Sequence, residues 1–325
     1  LFDWMVTEAT DLLSSGSKLA EPGKNVYGRC DKGFVQMILA KLYLNAEIWK
    51  GTAMYDKCAD ICKTIISEYP LHSTWKDLFC ADNNLCTANT TYNGDEIIFA
   101  VPQDGNLIRS YGATNFLIFA STGGTMTPSD YGISSGWGGL SLTGAFTSKF
   151  EASDKRADFY KGAYEQYIDV LRRDSDSWSN GWKCTKFTNV NHDGTAAQAN
   201  GFVDTDWPVF RSADAYLMYA ECAARGAADK TQGQNYLNAV RTRAGVGSLS
   251  LTLGNIIDER ARELYYEGFR RQDLIRFGLF TTGDYLWEFN GGVKEGKAVD
   301  SHFNLFPITA GDINANGNLV QNPGY

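Results

Sequence analysis

No stretch of the 325-residue chain approaches the run of about eighteen apolar residues that a membrane-crossing helix requires. Concentrated basic charge is also missing. Thirty Lys and Arg stand against 38 Asp and Glu, a net charge of −8, and a polyanion needs a cationic surface that no segment supplies, so nucleic acid is excluded as a partner. Histidine is scarce: His72, His192 and His302 each lie in loop-like sequence. With no G-x-S-x-G elbow beside them, nucleophilic catalysis has no frame. Glycine-rich phosphate loops and EF-hand spacings are absent too, and no cofactor is implied. The seven cysteines are an odd number without zinc or redox spacing. Cys58 and Cys62 share a helical face and His72 follows, but a fourth metal ligand is lacking, so these read as buried thiols. Cys80 and Cys86 flank a short polar loop and are placed to close a disulfide in an oxidising compartment. The oxygen-rich stretch 82–96, "DNNLCTANTTYNGDE", would serve a calcium ion but lacks the spacing of a known calcium loop.

What the chain does have is 33 glycines and 13% aromatic residues, a composition of long ordered loops and wide stacking surfaces. Three textures follow one another. Residues 1–79 carry helical periodicity over Phe2 to Leu13, Lys32 to Trp49 and Met54 to Ser67, with Gly51 and Pro70 as stops. Residues 80–210 open on a strand-like "EIIFAV" (96–101) and continue in long irregular stretches, which in a compact domain mark function. From Arg211 helices return, over Ala213 to Ala224, Gln234 to Ala244 and Leu253 to Phe277, before a Gly- and Asn-rich tail. The fold class is mainly α.

Five arginines fall within residues 258–278, "DERARELYYEGFRRQDLIRFG", and five acids cancel them. Ile257, Ala261, Leu264, Tyr265 and Gly268 form one apolar stripe, and Glu263, Glu267 and Arg271 at four-residue spacing offer intrahelical pairs. The segment is therefore read as an ion-paired, packed helix and not as an anion site.

"KLYLNAEIWKG" (41–51) and "AYLMYAECAARG" (215–226) echo one another, each running from aromatic and aliphatic residues through Ala-Glu to Gly before a second helix. Repeated helical hairpins with small residues at their contacts are the pattern of tetratricopeptide-like arrays, although the spacing of the full repeat is not kept. The expected architecture is tetratricopeptide-like hairpins packed against a long loop-rich region with a few short strands.

These residues also carry a resemblance. "YGRCDKGFVQMILAKLYLNAEIWKG" (27–51), "GDEIIFAV" (94–101), "FRSADAYLMYAECAARG" (210–226), "LNAVRTRAGV" (237–246) and "LFPITAGDINANGNLVQNPGY" (305–325) occur in the order seen in the SusD/RagB family of nutrient-binding outer-membrane lipoproteins, which the chain resembles over nearly its whole length. The resemblance implies a single non-catalytic domain, with a helical side and a variable ligand face, that caps a SusC-like TonB-dependent transporter at the surface of a Gram-negative cell. It further implies that Leu1 falls inside such a protein, the lipid-anchored beginning lying outside this chain.

The middle region supports the same reading on its own chemistry. Tyr111, Phe116, Phe119, Tyr131, Trp137, Trp178, Trp182 and Trp207 stand among Asn, Ser, Thr, Asp and Gly. Sugars present apolar C–H faces rimmed by hydroxyls, so a receptor needs flat rings beside hydrogen-bonding groups. The candidate ligand-binding residues are Trp137, Tyr131, Tyr111, Trp178 and Trp182. In "YGISSGWGGLS" the glycines around Trp137 leave little neighbouring bulk to bury it. Two other classes compete: a peptide-binding scaffold, and a glycoside hydrolase using two of Asp130, Glu151, Asp154 and Asp158. The interspersed Lys155 and Arg156 make the latter stretch read as a solvated helix end.

Overall fold

The computed structural model describes residues 1–86, 96–169 and 180–325. Helices α1 (Phe2–Leu13), α2 (Lys32–Leu44), α3 (Ala46–Lys50) and α4 (Tyr55–Glu68) come first. Asp31 caps α2, its carboxylate accepting from the Phe34 N–H. The stretch expected as one helix from Lys32 to Trp49 breaks at Asn45, whose amide folds back onto the Lys41 carbonyl at 2.8 Å. Strand β1 (Ile97–Val101) opens the loop-rich layer, which holds α5 (Ala113–Ser121), α6 (Gly144–Thr147), β2 (Phe159–Tyr160), β3 (Lys183–Cys184) and β4 (Trp207–Arg211). Then come α7 (Ser212–Ala224), α8 (Lys230–Ala244), α9 (Leu253–Leu264), α10 (Arg270–Arg276) and α11 (Ala310–Ala315). Asp229 and Thr252 cap α8 and α9. Among the described residues no helix is long and apolar enough to cross a membrane.

The echoed segments become α2 with α4 and α7 with α8, packed as hairpins, and α7 stacks directly on α4. Only Tyr216 and Ala224 of α7 escape burial. One core layer, including Met37, Leu44, Ile65 and Met218, lies between α2, α4 and α7; another, including Leu217, Leu237, Val240 and Ile256, joins α7, α8 and α9. A Cβ at Gly233 would stand 2.4 Å from that of Ala223, so the α7–α8 contact accepts only glycine there. Cys58 and Cys62 face each other at 3.9 Å inside this core as buried thiols. His72 instead bonds Asp77, and no His, Cys, Asp or Glu group among the described residues is arranged to hold a metal. The disulfide expected between Cys80 and Cys86 is not formed: both are free and buried, Cys80 against the Lys76 carbonyl and Cys86 beside His72. The calcium candidate at 82–96 falls mostly outside the described residues.

β1 and β4 pair antiparallel, Ile97 opposite Arg211 and Val101 opposite Trp207. The strand character of β4 hid within the irregular stretch. This ribbon rests on α2 through Phe34, whose ring lies 4.7 Å from Phe99 and 5.3 Å from Phe210. The loop-rich layer thus leaves and rejoins the helices at one neck. Its own apolar core gathers Trp75, Phe79, Ile118, Phe119, Phe187, Val203 and Tyr265.

A buried ionic network locks the two layers together. Glu263 accepts from Arg211 and Arg243 at 2.5 Å and from Arg156 at 3.0 Å; Glu259 accepts from Arg156, Arg241 and Arg262 at 2.7 Å. Glu96 pairs with Arg211 and Arg243, Glu267 with Arg211 and Lys186, Asp154 with Arg156 and Glu151 with Arg241. Among the described residues six cations meet six carboxylates, whose charges balance. A second chain runs Lys41–Asp214–Arg260–Asp273–Arg276–Glu221 and ties α2, α7, α9 and α10.

The expectation for residues 258–278 holds in substance and fails in form. The arginines are structural, but the helix expected from Leu253 to Phe277 is two. Tyr265 leaves α9 in an extended conformation, Tyr266 turns left-handed at φ 62°, and Gly268 follows at φ 87°. The break turns Tyr265 inward to the Arg156 carbonyl (2.7 Å) and Glu267 to Lys186 (2.5 Å), contacts no continuous helix would make. Hence Glu267 does not pair with Arg271, which donates to the Phe303 carbonyl at 2.7 Å, and Gly268 is exposed.

Removing one partner leaves a buried charge unpaired, so Glu263→Gln is expected to cost about 3–5 kcal/mol, with Arg262→Ala and Arg270→Ala also lowering the melting temperature. Against desolvation by burial, surrounding guanidiniums hold the carboxyls of Glu263, Glu259 and Asp273 below their usual values, and the Lys41 ammonium with Arg260 does the same for Asp214. Stability from depressed carboxylates is complete above the unfolded range and lost as pH falls toward the folded values. Melting temperatures should therefore hold steady near neutrality and collapse below about pH 4, with Glu263→Gln flattening that acid limb.

Candidate functional site

Residues 202–206 form the base on which the exposed rings of the loop layer sit. Three consecutive residues hold both ends of the 103–112 loop. Asp206 Oδ1 accepts the Gln103 N–H at 2.6 Å, Asp204 Oδ1 accepts the Gly105 N–H at 2.8 Å, and the Thr205 carbonyl accepts the Thr114 hydroxyl at 2.5 Å. Within the loop, Asp104 accepts from the N–H groups of Asn106 and Leu107, closing a tight turn. The loop presents Leu107 and, at 70% exposure, Tyr111.

Trp137 reaches the same place from the other side. The last carbonyls of a helix lack partners within it, and those at the end of α5 receive the N–H groups of a crossing loop: Trp137 to Phe119 at 2.9 Å, Leu140 to Ala120 at 3.0 Å and Gly138 to Thr122 at 2.9 Å. A Cβ at residue 136 would lie 2.4 Å from the Thr122 oxygen, so Gly136 permits the approach. The Trp137 ring sits 4.9 Å from buried Phe119, 5.9 Å from Tyr111 and 6.4 Å from Phe116. Phe202 backs Tyr111 at 5.2 Å. Trp137 remains 37% exposed. Its floor comes from Phe119 of α5, and its flanking residues Gly136 and Gly138 add no side chain beside it.

Trp137 and Tyr111 are thus brought together, and Tyr131 and Trp182 stand elsewhere. Tyr131 closes the turn Pro128–Tyr131, half-buried against the apolar core, with burial pushing its phenol up to about 12. Trp182 is half-buried beneath the Lys161 ammonium, 4.6 Å from the ring centroid. Trp178 lies outside the described residues. Trp207 packs over Phe187 at 6.2 Å. Phe202 and the Asp204–Asp206 anchor were not singled out in the sequence; their signal is the run "FVDTD", acids alternating with Thr just before β4.

Of the acids considered for hydrolysis, three are held in ion pairs: Glu151 with Arg241 at 2.6 Å, Asp154 with Arg156 at 2.8 Å and Asp158 with Lys76 at 2.5 Å. A cleft of about 380 Å³ opens between α6, α9, α10 and residues 280–287, walled by Phe146, Leu264, Phe269, Phe280 and Trp287. The arginines bordering it are engaged, Arg270 with the Ile257 carbonyl and Tyr285, Arg271 over the Phe306 ring at 3.9 Å.

Comparison with known proteins bears on this arrangement. A sequence model of the SusD family matches residues 160–325. The chain is 32% identical over 351 aligned residues to the starch-binding protein SusD of Bacteroides thetaiotaomicron, covering 94% of this chain and 62% of that protein. It therefore spans a little under two thirds of that relative's length. Its fold matches surface glycan-binding protein A from Bacteroides thetaiotaomicron with a TM-score of 0.74 at 23% identity, over 99% of this chain and 70% of the other. The same protein in complex with laminarihexaose matches at 0.72 and 22% identity, over the same shares of the two chains. A SusD superfamily protein from Parabacteroides distasonis matches at 0.67 and 25% identity, over 95% and 66% of the two chains. The tetratricopeptide-like helical architecture is shared.

The geometry separates Trp137 and Phe119 energetically, although their rings touch. Trp137→Ala should cost about 1 kcal/mol of stability, the scale of a partly exposed contact, whereas Phe119→Ala beneath it should cost about 3–5 kcal/mol. Denaturant melts of the two variants check this, and equal losses would place Trp137 in the core.

Proposed function

The chain belongs to the SusD family, and from that membership we propose that it binds glycans non-catalytically on the ring surface of Tyr111 and Trp137. The observation that carries this is the mounting of Trp137. Its backbone is fixed to the end of α5, its ring packs on Phe119, and it stays 37% exposed beside the exposed Tyr111. Rigid rings held open at the surface offer the flat faces that pyranose C–H groups stack on, at little cost in ordering. A relative named as starch-binding and a structural neighbour complexed with laminarihexaose support a saccharide as ligand. The engagement of Glu151, Asp154 and Asp158 in ion pairs argues against a carboxylate pair poised for glycoside cleavage. In this reading the protein works at the outer membrane of a Gram-negative cell. There it passes its ligand to a SusC-like TonB-dependent transporter.

Maltoheptaose and laminarihexaose are the probes. Each stacked ring contributes on the order of 1 kcal/mol, so Trp137→Ala or Tyr111→Ala should weaken binding by about tenfold or somewhat less, while Arg262→Ala leaves affinity unchanged. Calorimetry measures both, and prolonged incubation should release no reducing ends. Turnover lost on substituting Glu151 or Asp158 would return the hydrolase reading; capture of a peptide on the same rings would return the scaffold.

A further inference from the structure

We propose that Asp206 is a positioning residue for this ring surface, and that proton uptake by its carboxylate loosens the Tyr111 loop and weakens ligand binding in mildly acidic solution. The inference rests on the glycan reading for its ligand and on the anchor geometry for its mechanism.

Asp206 is 3% exposed. One carboxylate oxygen accepts the Gln103 N–H at 2.6 Å and the other accepts the Tyr27 hydroxyl at 2.5 Å. Asn83, wholly buried, grips its backbone on both sides: the Asp206 N–H donates to Asn83 Oδ1, and Asn83 Nδ2 donates to the Asp206 carbonyl, each at 3.0 Å. The side chain therefore cannot swing out to water, and no Lys or Arg pairs with it among the described residues. Among the described residues the titratable groups around it are Tyr27, in the segment before α2, and Asp204 on its own segment; Cys86, which follows the 3₁₀ turn Asn83–Leu85, acts on Tyr27. None is cationic.

A buried carboxylate without a counter-cation favours its neutral form. Burial pushes Asp206 up to about 6, opposed by the Tyr27 and Gln103 hydrogen bonds, while the Tyr27 phenol is pushed well above its ordinary value and stays protonated. As a carboxylate, Asp206 satisfies both donors with charge-assisted bonds. Once protonated it carries an O–H that itself needs an acceptor, and the bonds it keeps are weaker. The Gln103 tether starts the loop that ends in Tyr111, so its weakening frees that ring, while Asp204 and Thr205 keep the loop attached.

The sign follows from linkage. A bound ligand needs the loop held, so binding favours the ionised form, and affinity falls with acidification by at most about tenfold per pH unit for one proton. Fold stability moves the other way. The folded value lies above the ordinary aspartate value of 3.8, so proton uptake by Asp206 favours the folded chain between the two, and the loss of affinity is not unfolding.

The experiment measures maltoheptaose affinity from about pH 7.5 to pH 5 alongside amide hydrogen exchange at Gln103 and Gly105, corrected for intrinsic rates. Wild type should lose affinity several-fold on acidification, with Gln103 protection falling in step. Asp206→Asn should bind weakly throughout and show no slope, whereas Trp137→Ala should bind weakly yet keep the slope. Tyr27→Phe removes a bond that favours the carboxylate and should move the midpoint to higher pH, a readout available even if Asp206→Asn does not fold. A flat wild-type profile, or a slope surviving in Asp206→Asn, overturns the proposal. If no saccharide binds at any pH, the glycan reading fails alone. Exchange at Gln103 then still decides the mechanism, pH-dependent protection in wild type supporting it and flat protection overturning it.

Discussion

Glu263 is the constraint on which the two layers of this protein depend. Fully buried, it receives Arg211 from the end of β4, Arg243 from α8 and Arg156 from the loop layer. Each guanidinium then reaches a further acid, Glu96, Glu259 or Glu267, so no charge stands alone. Buried ion pairs add little net stability over apolar packing of the same shape. What they impose is directional: helices and loops meet in an arrangement that gives each of these three guanidiniums at least two carboxylate partners. The break between α9 and α10 is a product of this demand, because only a turn at Tyr266 brings Glu267 to Lys186 and Arg211.

From that lock the ring surface inherits its rigidity. The loop layer packs Phe79, Phe119 and Phe187 into a core of its own, and Phe119 is at once part of that core and the floor under Trp137. The same chain segment that enters β4 carries Asp204, Thr205 and Asp206, so the fastening of Tyr111 and the neck of the layer are neighbours in sequence.

Helical periodicity and its stops made α1, α4 and α7 legible in sequence almost to the residue, although they differ in burial: α1 buries only Ala9, α4 one face, and α7 nearly its whole surface. Neutrality of residues 258–278 told correctly that their arginines are structural. It could not show that Glu267 looks across the molecule, since pairing partners such as Lys186 and Arg211 are far away in sequence. The aromatic richness of the middle region was visible, as was the openness of Trp137 among glycines. Its partner was not: Tyr111 and Tyr131 read alike by composition, and only the backbone bonds of 103–114 to 204–206 decide which one stands beside Trp137. Cys80 and Cys86, close in sequence, turn to different neighbours because the intervening 3₁₀ turn points them apart.

The neck formed by β1 and β4 carries a consequence for descent. A segment that leaves and returns through adjacent, hydrogen-bonded strands can be exchanged or rebuilt without rerouting the helices on either side of it. What a replacement must retain is the set of side chains that plug into the helical frame, Lys149, Glu151, Arg156 and Lys186 among them, each seated on a partner in or beside α8 and α9. Loops that leave those plugs seated can be revised, so one frame can acquire new preferences through its loops alone.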